Sequence, residues 1–293
     1  MEISTVIVTY NSANEIKKCI DSLLNASRGL LQHIIIIDNA SRDNTVAIIE
    51  KCVLDSYQKK ITIELIKNQQ NKGFTKAVNQ GLAKVKGDFI LLLNPDTELQ
   101  TNTLSALMNY LNDHPEIAVI APQLVFPDGS VQPSCRRFPL HQDVLFEIFG
   151  LGILFPRHRI FNRWKMGDFD HSQTREVDQP QGAYLLVRTE AFNQVGVLDP
   201  KFRMFFSDVD WCQRYKKCGW KIVFYPKVKV IHHQGTSVYN NRARMIVTSH
   251  RDFYHYFCKY YQRRIYYLPN HSIGFLLLVL LIPRLLVSQI SKY

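Results

Sequence analysis

IIIIDNAS, Ile34 to Ser41, decides how the chain is read. Four successive isoleucines leave a strand no polar face, and a strand buried on both faces belongs to a parallel sheet covered by helices on either side. Other apolar runs close in the same way on residues that can carry chemistry. They are VIVTYN (Val6 to Asn11), LLLNPD (Leu91 to Asp96) and FFSDVDW (Phe205 to Trp211), followed by VIHHQGTS from Val230. Ligands of open α/β sheets sit beyond the carboxyl ends of the strands, so these ends point to one site able to hold a nucleotide diphosphate.

Working outward, strands are expected at Ile3 to Thr9, Ile61 to Lys67, Phe89 to Asn94 and Ala118 to Val125. Helices are expected at Glu15 to Asn25, Asn44 to Tyr57, Thr75 to Val85 and Thr101 to Asn112, with Asn44 as an N-cap. Pro127-Asp128-Gly129 marks a turn, and Pro133 to Asp178 reads as an irregular, substrate-facing insertion rich in Arg, Phe and Pro. Regularity returns with a strand at Ala183 to Arg188, helices near Thr189 to Gln194 and Asp208 to Lys217, and strands at Lys221 to Phe224 and Val228 to His232.

Charge is unevenly placed. Met1 to Asp210 holds 22 Lys and Arg against 24 Asp and Glu, whereas Trp211 to Tyr293 holds 14 against 1. A basic last third implies an anionic partner, nucleic acid or phospholipid. The nearly unbroken apolar run from Ile273 to Val287 favours the membrane over nucleic acid. That run is shorter than the ~20 residues of a spanning helix, so it reads as an interfacial segment, with a buried terminal helix as the alternative. Six scattered cysteines without a CxxC pair, and an amino terminus that enters a strand at once, fit the cytoplasm.

The turn after the first strand, Thr9-Tyr10-Asn11-Ser12, lacks the glycines of a dinucleotide fingerprint, and no GxxxxGK[ST] loop occurs. A nucleotide held mainly by side chains and a metal is what remains. Asp38 either accepts from the nucleoside or closes an Asx turn. Asp96 either meets a divalent cation or ends a Pro-Asp turn. In NQQNKGFTKAVNQG, Gly73 permits close backbone approach, and Asn71 and Asn79 are poor helix formers that suit sugar or ribose contacts. Asp208 and Asp210 point in different directions, so one can act as base while the other braces the helix. Of His232 and His233, only one can face the site.

Taken in order, VTYN, DNAS, Asn71-Lys72-Gly73-Phe74 through Asn79-Gln80-Gly81, LLNPD, Gly182-Ala183, SDVDWCQR and HxxGxS resemble family-two inverting glycosyltransferases, in particular the rhamnosyltransferase-like and galactofuranosyltransferase-like enzymes. The resemblance implies a GT-A α/β fold, a nucleoside-diphosphate sugar, Mg or Mn, and transfer with inversion. Thr9, Asn11 and Asp38, with Asn71, Gly73, Asn79 and Asn94, would then hold the nucleotide-sugar. Asp96 and His232 would hold the metal, Gly182, Ala183 and Trp211 would meet the acceptor, and Asp208 would be the base. Two positions depart from the pattern: Asn94 replaces the first carboxylate of Asp-x-Asp, and Ser207 replaces an acidic residue before Asp208.

The resulting expectation is a catalytic domain over 1–240, divided into a nucleotide-sugar half, 1–125, and an acceptor half, 126–240. Residues 241–293 form a basic helical region. The expected reaction moves L-rhamnose from dTDP-rhamnose to a lipid-linked glycan in bacterial cell-surface polysaccharide synthesis, on the inner membrane face. A UDP-sugar donor (galactofuranose or another hexose) and a non-catalytic sugar-nucleotide or polysaccharide-binding protein are the alternatives. The partners expected are the donor, the lipid-linked acceptor and an anionic membrane, not nucleic acid, and the reading admits a homodimer.

Overall fold

The computed structural model describes residues 1–27, 30–56, 61–234 and 242–290. The first part alternates as its apolar runs require: β1 (Glu2–Thr9), α1 (Ile16–Ala26), β2 (Leu31–Asp38), α2 (Thr45–Ser56), β3 (Ile61–Lys67), α3 (Phe74–Leu82) and β4 (Phe89–Leu93). Next come β5 (Thr97–Leu99), α4 (Thr103–Asp113), β6 (Ile117–Val125), β7 (Cys135–Arg136), α5 (His141–Ile148) and α6 (Leu151–Leu154). The chain continues through β8 (Arg175–Glu176), β9 (Gln179–Pro180), β10 (Tyr184–Arg188), α7 (Thr189–Val195), α8 (Ser207–Lys217), β11 (Lys221–His232), α9 (Arg242–Tyr260) and α10 (Tyr267–Ile290). Strand order in the main sheet is β3-β2-β1-β4-β10-β6-β11-β5, with β8 added to β11.

β1 runs parallel to β2 and β4, and β2 to β3. β10 enters antiparallel between β4 and β6. The isoleucine run divides by parity, as a strand must. Ile34 and Ile36 join Ile3 and Ile7 under α1 and α4, while Ile35 and Ile37 join Val6 and Val8 under α3. The chain reverses its direction across the sheet at β1, which leaves a crevice at the carboxyl ends of β1 and β4.

Three expectations are corrected. The region 133–178 is not wholly irregular, since it folds into α5, α6 and short strands whose brevity leaves no periodic signal. The two strands expected at Lys221 and Val228 are one, β11, with a register shift between Tyr225 and Lys229 beside Pro226, which has no N–H to donate. The apolar run at 273–287 lies within the 24-residue α10, and the 20 residues Arg264–Pro283, of mean hydropathy 1.7, are long and apolar enough to cross a membrane. The length argument for an interfacial segment therefore fails, because the turn from Tyr267 to Ser272 extends the helix. Only 17% of the most apolar stretch of Arg264–Pro283 is buried, which does not fit a buried core helix.

α9 is part of the body, because Phe253, Tyr256 and Phe257 pack with Phe202, Phe206 and Val209. α10 adds only Ile273 and Leu277 to that buried cluster, while Phe275, Leu278, Val279 and Ile282 are exposed. Tyr57 of the expected second helix, and Gly235 and Ser237 of HxxGxS, lie outside the described residues.

Gly81 shows why its motif ends in glycine. A Cβ there would stand 2.5 Å from Val6 Cγ1 and 2.7 Å from Ile37 Cδ1, so α3 can lie on β1 and β2 only without a side chain at this point. Gly81→Ala should cost stability although alanine is the better helix former. Overpacking of roughly 1–3 kcal/mol outweighs a propensity gain of at most ~1 kcal/mol. Urea unfolding should show the loss.

Candidate active site

A cleft of about 850 Å³ opens at the carboxyl edge of β1 and β4, lined among others by Tyr10, Asn39, Asn94, Asp96, Asp208 and His232. Each side chain is delivered by a strand or helix end.

Asp96 and His232 are brought together by β5, a three-residue strand with too short a pattern to be read from sequence. β5 pairs antiparallel with the end of β11, setting Thr97 opposite His232. The Asp96 carbonyl accepts from the His233 N–H at 2.9 Å. As a result His232 Nε2 stands 3.5 Å from Asp96 Oδ1. Gln132 donates its amide to the His232 carbonyl at 2.6 Å and presents Oε1 to Nδ1 at 2.9 Å. The His232 Nδ1–H donated to that oxygen leaves Nε2 with its lone pair toward Asp96, the outer hydrogen bond a metal-bound imidazole requires. One carboxylate and one imidazole suit a divalent cation whose other ligands come from phosphate and water. Among the described residues no group of three or more such side chains occurs. His233 points away and pairs with Glu98 at 2.7 Å.

Asp208 faces the cleft from the first turn of α8. Its Oδ2 accepts from the Gly182 N–H and from Gln179 Nε2, each at 3.0 Å, and its Oδ1 from the Val209 N–H at 2.9 Å. A Cβ at Gly182 would lie 3.1 Å from Asp208 Oδ2, so a side chain there would crowd the carboxylate. Burial raises the Asp208 pKa above the ordinary aspartate value of 3.8, against the hydrogen bonds that lower it. The shift increases its proton affinity, as a general base needs. Asn94 is tied to this side by its N–H to the Ala183 carbonyl, 2.9 Å. Ser207 donates to the Met204 carbonyl at 2.9 Å, so a carboxylate at this position would face a carbonyl oxygen.

Asp210 has a different environment. It is fully buried and clamped by Arg214 Nε (2.9 Å), Lys259 Nζ (2.5 Å) and the Tyr260 hydroxyl (2.6 Å), which fastens α8 to α9. Of the two aspartates, Asp208 faces the cleft and Asp210 braces.

At the other end of the cleft, Thr9 Oγ1 donates to Asp38 Oδ1 and the Ser41 N–H to Oδ2, each at 3.0 Å. Asp38 is 2% exposed and closes the turn, so Thr9 and Asp38 stand behind the wall that their neighbours Tyr10 and Asn39 line. Asn39 was missed by sequence reasoning, though its place after Asp38 in DNAS was a signal. Its amide donates to Asn71 Oδ1 at 3.0 Å, and its oxygen accepts from the Lys72 N–H at 3.0 Å. Asn71, Gly73 and Asn94 reach the wall. Gly73, at φ +86°, adopts a backbone conformation that glycine alone takes without strain.

Three further expectations are corrected. Asn79 spends both ends of its amide on the Leu198 backbone, at 2.8 and 3.0 Å. Asn11 accepts from the Arg42 N–H at 2.8 Å and is not among the residues that line the cleft. Trp211 is wholly buried in the core with its Nε1–H on the Gly196 carbonyl at 2.8 Å, so it has no surface for an acceptor.

The sequence profile of glycosyl transferase family 2 matches residues 4–196. The chain is 28% identical over 261 residues to the N-acetylglucosaminyl-diphospho-decaprenol L-rhamnosyltransferase of Mycobacterium tuberculosis, spanning 85% of this chain and 81% of that protein. Among solved structures it superposes on the mannosyltransferase PcManGT from Pyrobaculum calidifontis, in complex with GDP-Man and Mn2+, with TM-score 0.59 and 13% identity over 99% of this chain and 73% of that one. It also superposes on S. aureus TarS, with TM-score 0.55 and 16% identity, covering 88% of this chain and 44% of TarS. At these identities the likeness shows the fold, which is the GT-A-type architecture expected from the motifs.

The two aspartates of α8 should separate in stability. Asp210→Ala leaves Arg214 without its carboxylate and Lys259 with Asp199 alone, and should cost up to about 3–5 kcal/mol, as loss of one partner of a buried pair does. Asp208→Asn relieves a buried charge and should leave the denaturation midpoint nearly unchanged. Chemical unfolding of the two variants checks both.

Proposed function

The chain belongs to glycosyl transferase family 2, and on that premise we propose that it transfers a sugar, L-rhamnose from dTDP-rhamnose, with inversion onto a lipid-linked glycan. One observation carries the reading: Asp208 on one side and the Asp96–His232 pair on the other face a single cleft large enough for a nucleotide-sugar and the acceptor terminus. The name of the mycobacterial relative supports rhamnosyl transfer to a lipid-linked acceptor.

Asp208 takes the proton of the acceptor hydroxyl as its oxygen bonds to the anomeric carbon and the bond to the nucleoside diphosphate breaks. Gly182 and Gln179 hold the carboxylate in place through the hydrogen bonds they donate. Asp96 and His232 would hold a divalent cation, Mg or Mn, which as a Lewis acid supplies charge stabilisation to the leaving diphosphate. The presence of Mn2+ in the PcManGT complex supports this assignment. Tyr10, Asn39 and Asn71 form the nucleoside end, with the Thr9–Asp38 hydrogen bond behind them.

Incubation with dTDP-L-rhamnose, Mn2+ and a diphosphate-linked N-acetylglucosaminyl prenol should release dTDP and give a product of inverted anomeric configuration by NMR. A product of retained configuration, or no turnover with any dTDP- or UDP-sugar, would sink the proposal, and the second result would favour the non-catalytic reading. Asp208→Asn should lose about 100-fold or more in kcat with nucleotide affinity kept. The base works deprotonated, so activity should fall as pH drops through the Asp208 pKa. The acid limb of kcat/KM should therefore lie above 3.8 and be absent from the residual activity of Asp208→Asn.

The same proposal puts the site at the inner face of the membrane, a reading supported by α10, whose exposed Phe275, Leu278, Val279 and Ile282 would gain from apolar burial while Arg263 and Arg264 would meet anionic headgroups. Asn270 belongs to the body, since its amide joins His141 Nε2 at 2.7 Å and the Tyr261 carbonyl at 2.9 Å. Removal of residues 272–293 should therefore shift the protein from membrane pellet to supernatant with activity on a short soluble acceptor retained. A truncated protein that still sediments with washed membranes would overturn the placement.

A further inference from the structure

Within the described body, several cations are matched to carboxylates. Arg137 pairs with Asp168, Arg163 with Asp143, Arg214 with Asp210, Lys216 with Glu176 and Lys259 with Asp199. The cleft gathers cations that are not so matched, Lys72 and Lys76 at one side and three arginines at another. Arg203, Arg244 and Arg251 line it, and among the described residues none of the three makes an ion pair with a carboxylate. Arg244, Thr248 and Arg251 follow one another at i, i+4 and i+7 on α9 and share the helix face that closes the cleft. Arg203 is brought to them by Asp252, whose Oδ2 accepts from the backbone N–H of Arg203 at 3.1 Å and of Met204 at 3.2 Å. Asp252 is fully buried, so this tie between the loop and α9 is not weakened by solvent.

The grouping has a direction. The carboxylates of the cleft, Glu15, Asp96 and Asp208, stand at strand and helix ends beside the sheet, whereas Arg244 and Arg251 stand on the helix that leads into α10 and Arg203 on the loop tied to it. Unmatched guanidinium groups on a concave wall are suited to phosphate, which they bind through paired, charge-assisted hydrogen bonds. The donor diphosphate already has a place at Asp96 and His232 under the proposed function.

Resting on that reading, we infer that Arg203, Arg244 and Arg251 form a second anion subsite, which takes the diphosphate of an isoprenyl-diphosphate-linked acceptor. The acceptor enters from the α10 side, its phosphates stop at α9, and the sugar beyond them reaches Asp208. The subsite makes the enzyme selective for acceptors that carry phosphate next to the reacting sugar, because a neutral glycoside leaves the cluster uncompensated.

The test separates the two diphosphates. Full-length protein in detergent is saturated with dTDP and Mn2+ to occupy the donor end, then titrated calorimetrically with geranyl diphosphate. Wild type should bind it. Arg251→Gln and Arg203→Gln should each weaken binding about tenfold or more, the range expected for a charge-assisted hydrogen bond, with the affinity for dTDP and Mn2+ unchanged. In turnover the same variants should raise KM for the diphosphate-linked acceptor and leave that for a neutral octyl glycoside unaltered. Thermal unfolding within a few degrees of wild type shows that the fold is kept. Arg244→Gln, on the first turn of α9, gives a second reading should either of the other variants fail to fold.

Absence of geranyl diphosphate binding to wild type, binding unaffected by the substitutions, or a loss of dTDP affinity instead would each overturn the subsite. A wild-type protein that binds geranyl diphosphate in this way but transfers no sugar would sink the transferase reading and leave the subsite standing.

Discussion

The antiparallel entry of β10 between β4 and β6 is the constraint on which the site depends. In a wholly parallel sheet each strand brings only its carboxyl end to the ligand edge. Reversed, β10 brings its amino end there, and with it Gly182 and Ala183. The Ala183 carbonyl then accepts from Asn94 and fixes the loop that carries Asp96, while the Gly182 N–H fixes Asp208. One reversed strand thus couples the two ends of the cleft, which lie more than a hundred residues apart in the chain.

Asp208 and Asp210 show how environment divides the labour of identical side chains. Two positions apart on α8, they cannot face the same partner. Asp210 lies where α9 supplies Lys259 and Tyr260 and where Arg214, one turn on, completes a closed ion network. Asp208 receives only uncharged hydrogen-bond donors, burial outweighs their effect and its proton affinity rises. A fold that needs one fixed carboxylate and one reactive one can obtain both from a single helix turn by controlling which has a cation beside it.

α9 joins body, cleft and terminal helix. Its buried aromatics enter the core formed with Phe202 and Phe206, its Asp252 positions the Arg203 loop, and its polar face closes the cleft. The unequal charge of the chain has its physical outlet here. The basic last third supplies cations to the cleft wall and to the approaches of α10, where apolar side chains are left uncovered.

Period and composition by themselves determined the parallel half of the sheet. Strands such as β1, β2 and β4 and helices α1 to α4 are legible because each is long enough for its buried face to repeat, and the polar residues that close the strands lie at or beside the cleft. Tertiary structure alone decided which of those residues reach it. β5 is three residues long and has no period, yet it sets Asp96 beside His232. Asn79, Asn11 and Trp211 carry polar groups that sequence reasoning offered to a ligand, but the fold had already committed them, to Leu198, Arg42 and Gly196. A residue's type states what it can bond to, whereas the partner it meets depends on which distant backbone is folded against it, and no local pattern records that.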